Sequence, residues 1–249
     1  MKNYLMIIQY DGTSYHGWQK QGNTTNTIQE IIEKALIKLL QEDIEIHGSG
    51  RTDAGVHAKG QAANLKCQPI KNIKVFLLNL NRELPRDIQV IHIREVNLEF
   101  HSRLSATAKL YSYHISNGQR PRVFRRKYVY HYDKKLDIGL MKKAAGMITG
   151  THDFRGFSSE KNPSKSCIRN LYEITIEQQD NEITISYYGN GFIYNMVRIL
   201  TGTLLEIGAK ERQIEDINTA FETRKREFAG FMVPAHGLFL EKVEYSGTL

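Results

Sequence analysis

Thr27 to Leu40 reads TIQEIIEKALIKLL. Thr27 and Glu30 make a capping box, and Ile28, Ile31, Ile32, Ala35, Leu36, Leu39 and Leu40 recur at helical spacing, so one face of a helix must be buried. On its N-terminal side, Lys2 to Tyr10 (KNYLMIIQY) is rich in β-branched and aromatic residues and runs into an Asp11-Gly12 turn, the pattern of a strand. On its C-terminal side, strands are expected at Ile44 to Gly48, Gln61 to Lys66 and Ile88 to Val96, with a short helix over Ile73 to Leu80 closed off by Pro85. A helix with one apolar face among strands that can cover it predicts a mixed layer.

A second series begins at Leu110. It comprises a strand to Ser116, a basic segment with a strand over Tyr128 to Tyr132, and a helix from Asp137 to Ile148. Ser158 to Ser166 has the composition of an exposed loop. Ile168 to Glu177 and Glu182 to Tyr188 flank an Asp180-Asn181 turn as an antiparallel pair, helices follow at Asn195 to Ile207 and Gln213 to Thr223, and Leu238 to Tyr245 is a closing strand. Strands and helices in each half without strict alternation predict an α+β fold. The expected boundary falls near Ser102 to Ala106, dividing the chain into residues 1–104 and 105–249; without Pro or Gly there, it reads as a short crossing between halves that share a sheet or interface. No repeat is visible residue by residue.

The chain has 249 residues, 41% hydrophobic and 24% charged, which fits a globular protein and neither a disordered nor a fibrous one. Met1 leads into a strand and not into a basic and apolar leader, so a cytoplasmic protein is expected. The longest apolar stretch, Gly191 to Ile207, contains Asn195, Arg198 and Glu206 and is too polar for a bilayer, so no membrane partner is expected. Cys67 and Cys167 lack metal spacing and read as buried thiols, and the nine histidines form no ligand motif, so no metal is expected.

The net charge of +7 suits a polyanionic partner. Gln119 to Tyr132 (QRPRVFRRKYVYHY) sets five basic residues among aromatics, the mixture that neutralises phosphates and stacks on unpaired bases. Taken alone, the run fits a solvated strand and loop equally well.

Three constellations carry chemistry. Gly48 to Ala58 (GSGRTDAGVHA) holds three glycines that permit sharp turns and close approach, with Arg51 and Asp53 of opposite charge two residues apart; a tight turn with mutual neutralisation is the plainer alternative. Arg198 sits inside an apolar helix, where a guanidinium either snorkels to solvent or needs a carboxylate or phosphate partner; if it meets Asp53, it keeps that carboxylate ionised. In Lys109 to Tyr113 (KLYSY), Tyr111 and Tyr113 share one strand face, as core aromatics or as a platform for an extruded base.

GRTDAGVHA, KLYSY, DGTSYHGWQ within Asp11 to Gln21, NGFIYNMVR at Asn190 to Arg198 and PAHGL at Pro234 to Leu238 together resemble the tRNA pseudouridine synthase A (TruA) family over essentially the whole chain. The first string is highly specific, and the others gain weight from order and spacing. The resemblance implies that Asp53 is the catalytic nucleophile, that Tyr111 contacts the target base, that Arg198 pairs with Asp53, and that Arg51 serves RNA contact or base flipping. It further implies two related α+β halves sharing a continuous antiparallel sheet, with helices packed on one face and a basic cleft on the other, and a homodimer that grips tRNA. The implied targets are uridines of the anticodon arm, tRNA positions 38, 39 and 40. Ile193 stands where the family more often has Leu, and the 158–166 loop departs in composition, which bears on substrate choice more than on catalysis.

Pseudouridine formation breaks the C1′–N1 bond, turns the base and joins C1′ to C5 without net redox change, so no cofactor is expected. A carboxylate beside the sugar can attack C1′, stabilise positive charge there or remove a sugar proton, and the sequence leaves all three open. A glycoside hydrolase would bring a second carboxylic acid for its leaving group, and none accompanies Asp53 in its motif. A paralogue acting on another structured RNA and a non-catalytic RNA-binding protein are the remaining alternatives.

Overall fold

The computed structural model describes residues 1–246. The chain forms two compact units, residues 1–107 with the closing strand from Phe239 onward, and residues 108–238. Both mix strands and helices, an α+β architecture.

In the first unit, β1 (Lys2–Tyr10) lies between β4 (Ile88–Val96) and β3 (His57–Cys67), antiparallel to both. The short β2 (Ile46–Gly48) pairs antiparallel with β3, and β10 (Leu238–Tyr245) joins β3 in parallel, Phe239 facing His57. The helix α1 spans Ile28–Leu40; Thr27 caps it by accepting from the Glu30 amide, and Ile28, Ile32, Ala35 and Leu36 are buried as their spacing requires. Gln29 and Glu33 are also buried, because Gln29 Nε2 donates to the Ile46 carbonyl and Glu33 Oε1 accepts from the Ile46 amide. The helix α2 (Ile73–Glu83) is capped by Asn72 and runs three residues past the expected Leu80.

In the second unit, β5 (Ala106–Ser116), β9 (Glu182–Gly189), β8 (Ile168–Gln179) and β7 (Gly150–Asp153) follow one another in antiparallel order, with the two-residue β6 (Tyr130–His131) parallel to the end of β5. The β8–β9 hairpin turns at Asp180 and Asn181, with Asp180 at φ 54°. Helices α3 (Ile138–Ile148), α4 (Met196–Gly208) and α5 (Asp216–Thr223) complete the unit. α3 packs on α4 and β8. α5 starts three residues later than expected, and β7 with the 3-10 turn Phe154–Phe157 is a structured stretch that the sequence pattern did not announce.

Both cysteines are buried free thiols. No helix among the described residues is long and apolar enough to cross a membrane.

Candidate active site

The Asp53 loop leaves β2 at Gly48 and enters β3 at His57, and buried polar groups hold it along its length. At its start, the Ser49 amide donates to the Ala62 carbonyl at 2.7 Å, Ser49 Oγ donates to Gln61 Oε1 at 2.7 Å, and Gln61 Nε2 reaches the Gly50 carbonyl at 3.0 Å. In its middle, Thr52 is buried: its Oγ1 lies 2.8 Å from the Tyr10 hydroxyl and its carbonyl accepts from the Trp18 amide at 3.0 Å. Beyond Asp53, the Val56 amide closes a turn on the Asp53 carbonyl at 3.1 Å.

The segment DGTSYHGWQ is the mould for this loop. Gly12 lies so close to Val56 that a Cβ would stand 2.0 Å from its carbonyl oxygen. At the other end, Gly17 has φ 90°, and a Cβ there would meet the Thr52 carbonyl at 2.7 Å. The Gly17 and Trp18 carbonyls accept from the Ile28 and Gln29 amides, which satisfies first-turn donors of α1 and ties the loop to a rigid helix. His57 Nδ1 accepts from the Gly12 amide at 3.0 Å, and its ring stacks on Phe239 at 4.6 Å. Asp11 Oδ1 lies 3.1 Å from the same Nδ1 but already accepts from the Thr13 amide, so we assign the imidazole nitrogen to Gly12. Burial pushes the Tyr10 phenol well above its usual range, which keeps it protonated against Thr52. The result is a backbone fixed on both sides of a half-buried Asp53, with Arg51 exposed two residues before it.

The second unit carries Tyr111 and Arg198. Tyr111 is buried on β5 opposite Tyr187 of β9, and it meets Phe192 edge-on at 5.0 Å, which brings the KLYSY and NGFIYNMVR motifs together. Tyr113 lies on the same strand face but is fully buried, its hydroxyl donating to the Pro234 carbonyl at 2.7 Å beside PAHGL. The pair therefore divides: Tyr113 is a framework residue whose hydroxyl is used inside the unit. Burial also drives its phenol far up from its usual range.

Arg198 stands in the first turn of α4, half-buried, with Nε donating to the Val233 carbonyl at 2.8 Å and Nη1 to Asn195 Oδ1 at 3.1 Å. Asn195 caps the helix at φ 60°, a conformation this residue type tolerates, and its Nδ2 donates to Ser159 Oγ at 3.0 Å. The Tyr187 hydroxyl lies 2.8 Å from Thr201 Oγ1, fixing α4 against β9. The guanidinium is thus aimed by its own unit at the helix end whose dipole favours an anion. Thr52, Gln61, Phe192 and Asn195 were not singled out by sequence reasoning; their only signal was adjacency to the motif residues.

The basic segment is more internally paired than its composition suggests. Arg122 and Arg125 both bind Glu182, and Arg126 Nη1 donates to the Val123 carbonyl at 2.9 Å. Phe124, at the tip, is 96% exposed.

A sequence profile of the tRNA pseudouridine synthase family matches residues 6–104 and 144–246, and the basic segment lies between the two spans. The chain is similar to a tRNA pseudouridine synthase A of Bacillus sp. (strain KSM-64), 46% identical over 245 residues that cover 98% of this chain and 100% of that protein. It is also similar to tRNA pseudouridine synthase A 2 of Clostridium perfringens, at 44% over the same shares. A tRNA pseudouridine synthase A of Acetivibrio thermocellus is 43% identical over 249 residues, again 98% of this chain and 100% of the relative. The profile runs through the mould of the Asp53 loop, the loop itself and the Arg198 helix, and the relatives run through both units: the chain belongs to the tRNA pseudouridine synthase family.

Proposed function

We propose that the protein isomerises uridine to pseudouridine in the anticodon arm of tRNA, with Asp53 as the reacting carboxylate. One observation carries the reading: Asp53 is held on a loop clamped by buried groups before and after it, in a chain whose relatives are tRNA pseudouridine synthases along their full length. A carboxylate fixed in this way loses little freedom when a ribose is brought against it.

In this reading Asp53 acts at C1′ as the C1′–N1 bond breaks. The uracil turns, C1′ joins C5, the C5 proton leaves and N1 gains one. Arg198 pairs with Asp53 and keeps it ionised, aided by the N-terminal end of α4. Tyr111 stacks on the target base, and Arg51 fills the space that the flipped nucleotide leaves. Apolar surface around the Arg198 helix excludes water, which would otherwise divert the reaction to hydrolysis. No cofactor and no metal enter the scheme. The continuous sheet beneath a basic cleft, the homodimer and the cytoplasmic setting belong to the same proposal, supported by the family resemblance.

The test is tritium release from tRNA labelled at uridine C5. The isomerase releases tritium, a binding protein leaves the label in place, and a hydrolase yields free uracil. Asp53→Asn abolishes release and keeps the tRNA dissociation constant within a few-fold; normal turnover by this variant refutes the assignment.

A further inference from the structure

The second unit contains a cleft of about 230 Å³ where β6 meets the end of β5. Pro121, Val129 and Tyr130 give it apolar walls, Arg122 and Arg126 line it from the basic segment, and His131 faces it beside Ser116. Neither Tyr111 nor Arg198 lines it.

Size, charge and hydrogen bonding each constrain the occupant. The volume falls below the roughly 300–1,000 Å³ of pockets that enclose drug-sized ligands, so the cleft suits one flat ring system. No carboxylate lines it, and although Arg122 shares Glu182, Arg126 keeps its charge with a single bond to a carbonyl, so the rim favours an anion. His131, which lines the cleft, has its Nδ1 buried without a hydrogen-bond partner among the described residues, a cost that a small turn of the ring toward a ligand's polar edge would offset. A flat polar ring joined to an anion is a nucleotide.

We propose that this cleft seats one unpaired nucleotide of the RNA substrate other than the reacting uridine, its base against Tyr130 and His131 and its phosphate on Arg126. The proposal rests on the pseudouridine synthase reading only in taking that RNA to be tRNA. All the lining residues but His236 lie in the stretch that the family profile passes over.

The test is tRNA affinity of the full chain, measured by filter retention for wild type, His131→Phe and Arg126→Ala. His131→Phe keeps a ring and removes both nitrogens, while Arg126 is exposed, so melting temperatures stay at the wild-type value. Each substitution raises the dissociation constant about fivefold, the scale of one lost hydrogen bond for His131→Phe and of one lost charged contact for Arg126→Ala, and the rate at saturating tRNA stays within about twofold. Ultraviolet cross-linking of wild-type protein to tRNA places a nucleotide on the tryptic peptide of residues 128–134. An unchanged dissociation constant for His131→Phe overturns the inference even if Arg126→Ala weakens binding, because a phosphate contact needs no pocket. Cross-links confined to other peptides overturn it as well. If tRNA binds through the cleft and no tritium is released, the functional reading falls and the nucleotide site stands.

Discussion

The Tyr10 hydroxyl and Thr52 Oγ1 lie 2.8 Å apart, both residues buried, one position ahead of Asp53. Tyr10 comes from the end of β1 and Thr52 from the Asp53 loop, so this bond joins the rigid sheet to the proposed reacting group. Tyr10→Phe leaves Thr52 without that partner, and stability falls by roughly 1–3 kcal/mol. Single-turnover pseudouridine formation falls by about tenfold or more while tRNA affinity is kept, since a misplaced carboxylate costs rate and not binding. A stopped single-turnover assay beside a melting curve separates the two effects.

Gly17 makes a sharper prediction. Its φ of 90° and the Thr52 carbonyl 2.7 Å from a would-be Cβ leave no room for alanine. Backbone strain alone costs about 1–3 kcal/mol, and the clash adds to it. Gly17→Ala therefore lowers both melting temperature and turnover, whereas Gly22→Ala, with open space around its Cβ position, leaves both unchanged.

The two strand tyrosines are expected to part company under the same substitution. Tyr113→Phe strands the Pro234 carbonyl and lowers stability by about 1–3 kcal/mol, read by denaturant titration. Tyr111→Phe keeps its ring and its edge contact with Phe192, so base stacking and tRNA affinity persist. A severe rate loss in Tyr111→Phe with affinity intact identifies its hydroxyl as a participant in proton transfer.

Because Glu182 is shared by Arg122 and Arg125, removing Arg125 hands the carboxylate to Arg122 and exposes no new charge. Arg120, on the same exposed segment, pairs with no acid among the described residues, and Arg120→Ala lowers the slope of log affinity against log salt by about 1 if it meets a phosphate. Arg125→Ala lowers the slope by less. Equal slopes in the two variants would show that the Glu182 pairing does not survive RNA binding.

His236 supplies a pH signature. Burial, reinforced by Arg198, lowers its pKa from 6.5, so the folded protein binds the proton more weakly than the unfolded chain. The sign follows from linkage: stability is full above pH 6.5 and declines as pH falls from there toward the lowered folded value, below which the loss levels off. His236→Gln flattens this part of the melting temperature profile between pH 7.5 and 5.5. His101, lowered by burial and by His47 stacked 5.1 Å away, adds a similar slope that the substitution leaves in place.

What the sequence made legible were the elements whose local signals agree with their burial. Thr27 with its apolar stripe gave α1, and Asp180-Asn181 between two β-branched runs gave the hairpin. Strand β3 starts at His57, four residues ahead of the expected Gln61, because His57, Ala58, Lys59 and Gly60 include no β-branched residue; the burial of Gln61 and Asn64 was hidden as well, since their polar atoms bond to Ser49, Asn3 and Ser102, partners remote in sequence. The same holds for Gln29 and Glu33. Asp53 stood out through its glycine-framed string, but the groups that fix it, Tyr10, Thr52 and Gln61, carry no local mark because their function lies in a three-dimensional hydrogen-bond pattern. The basic segment was visible as charge, and its partial neutralisation by Glu182 was not, since that acid lies across a sheet.

The parallel pairing of β10 with β3 has a bearing on synthesis. The unit that contains Asp53 closes with a strand drawn from Phe239 onward. A ribosome that has delivered the first hundred residues has therefore released an unfinished sheet whose β3 edge waits for translation of everything between. Strands β1, β3 and β4 can pair as they emerge, but the first unit is complete only after residues 108–238 have been made, a departure from strict maturation from the N-terminus.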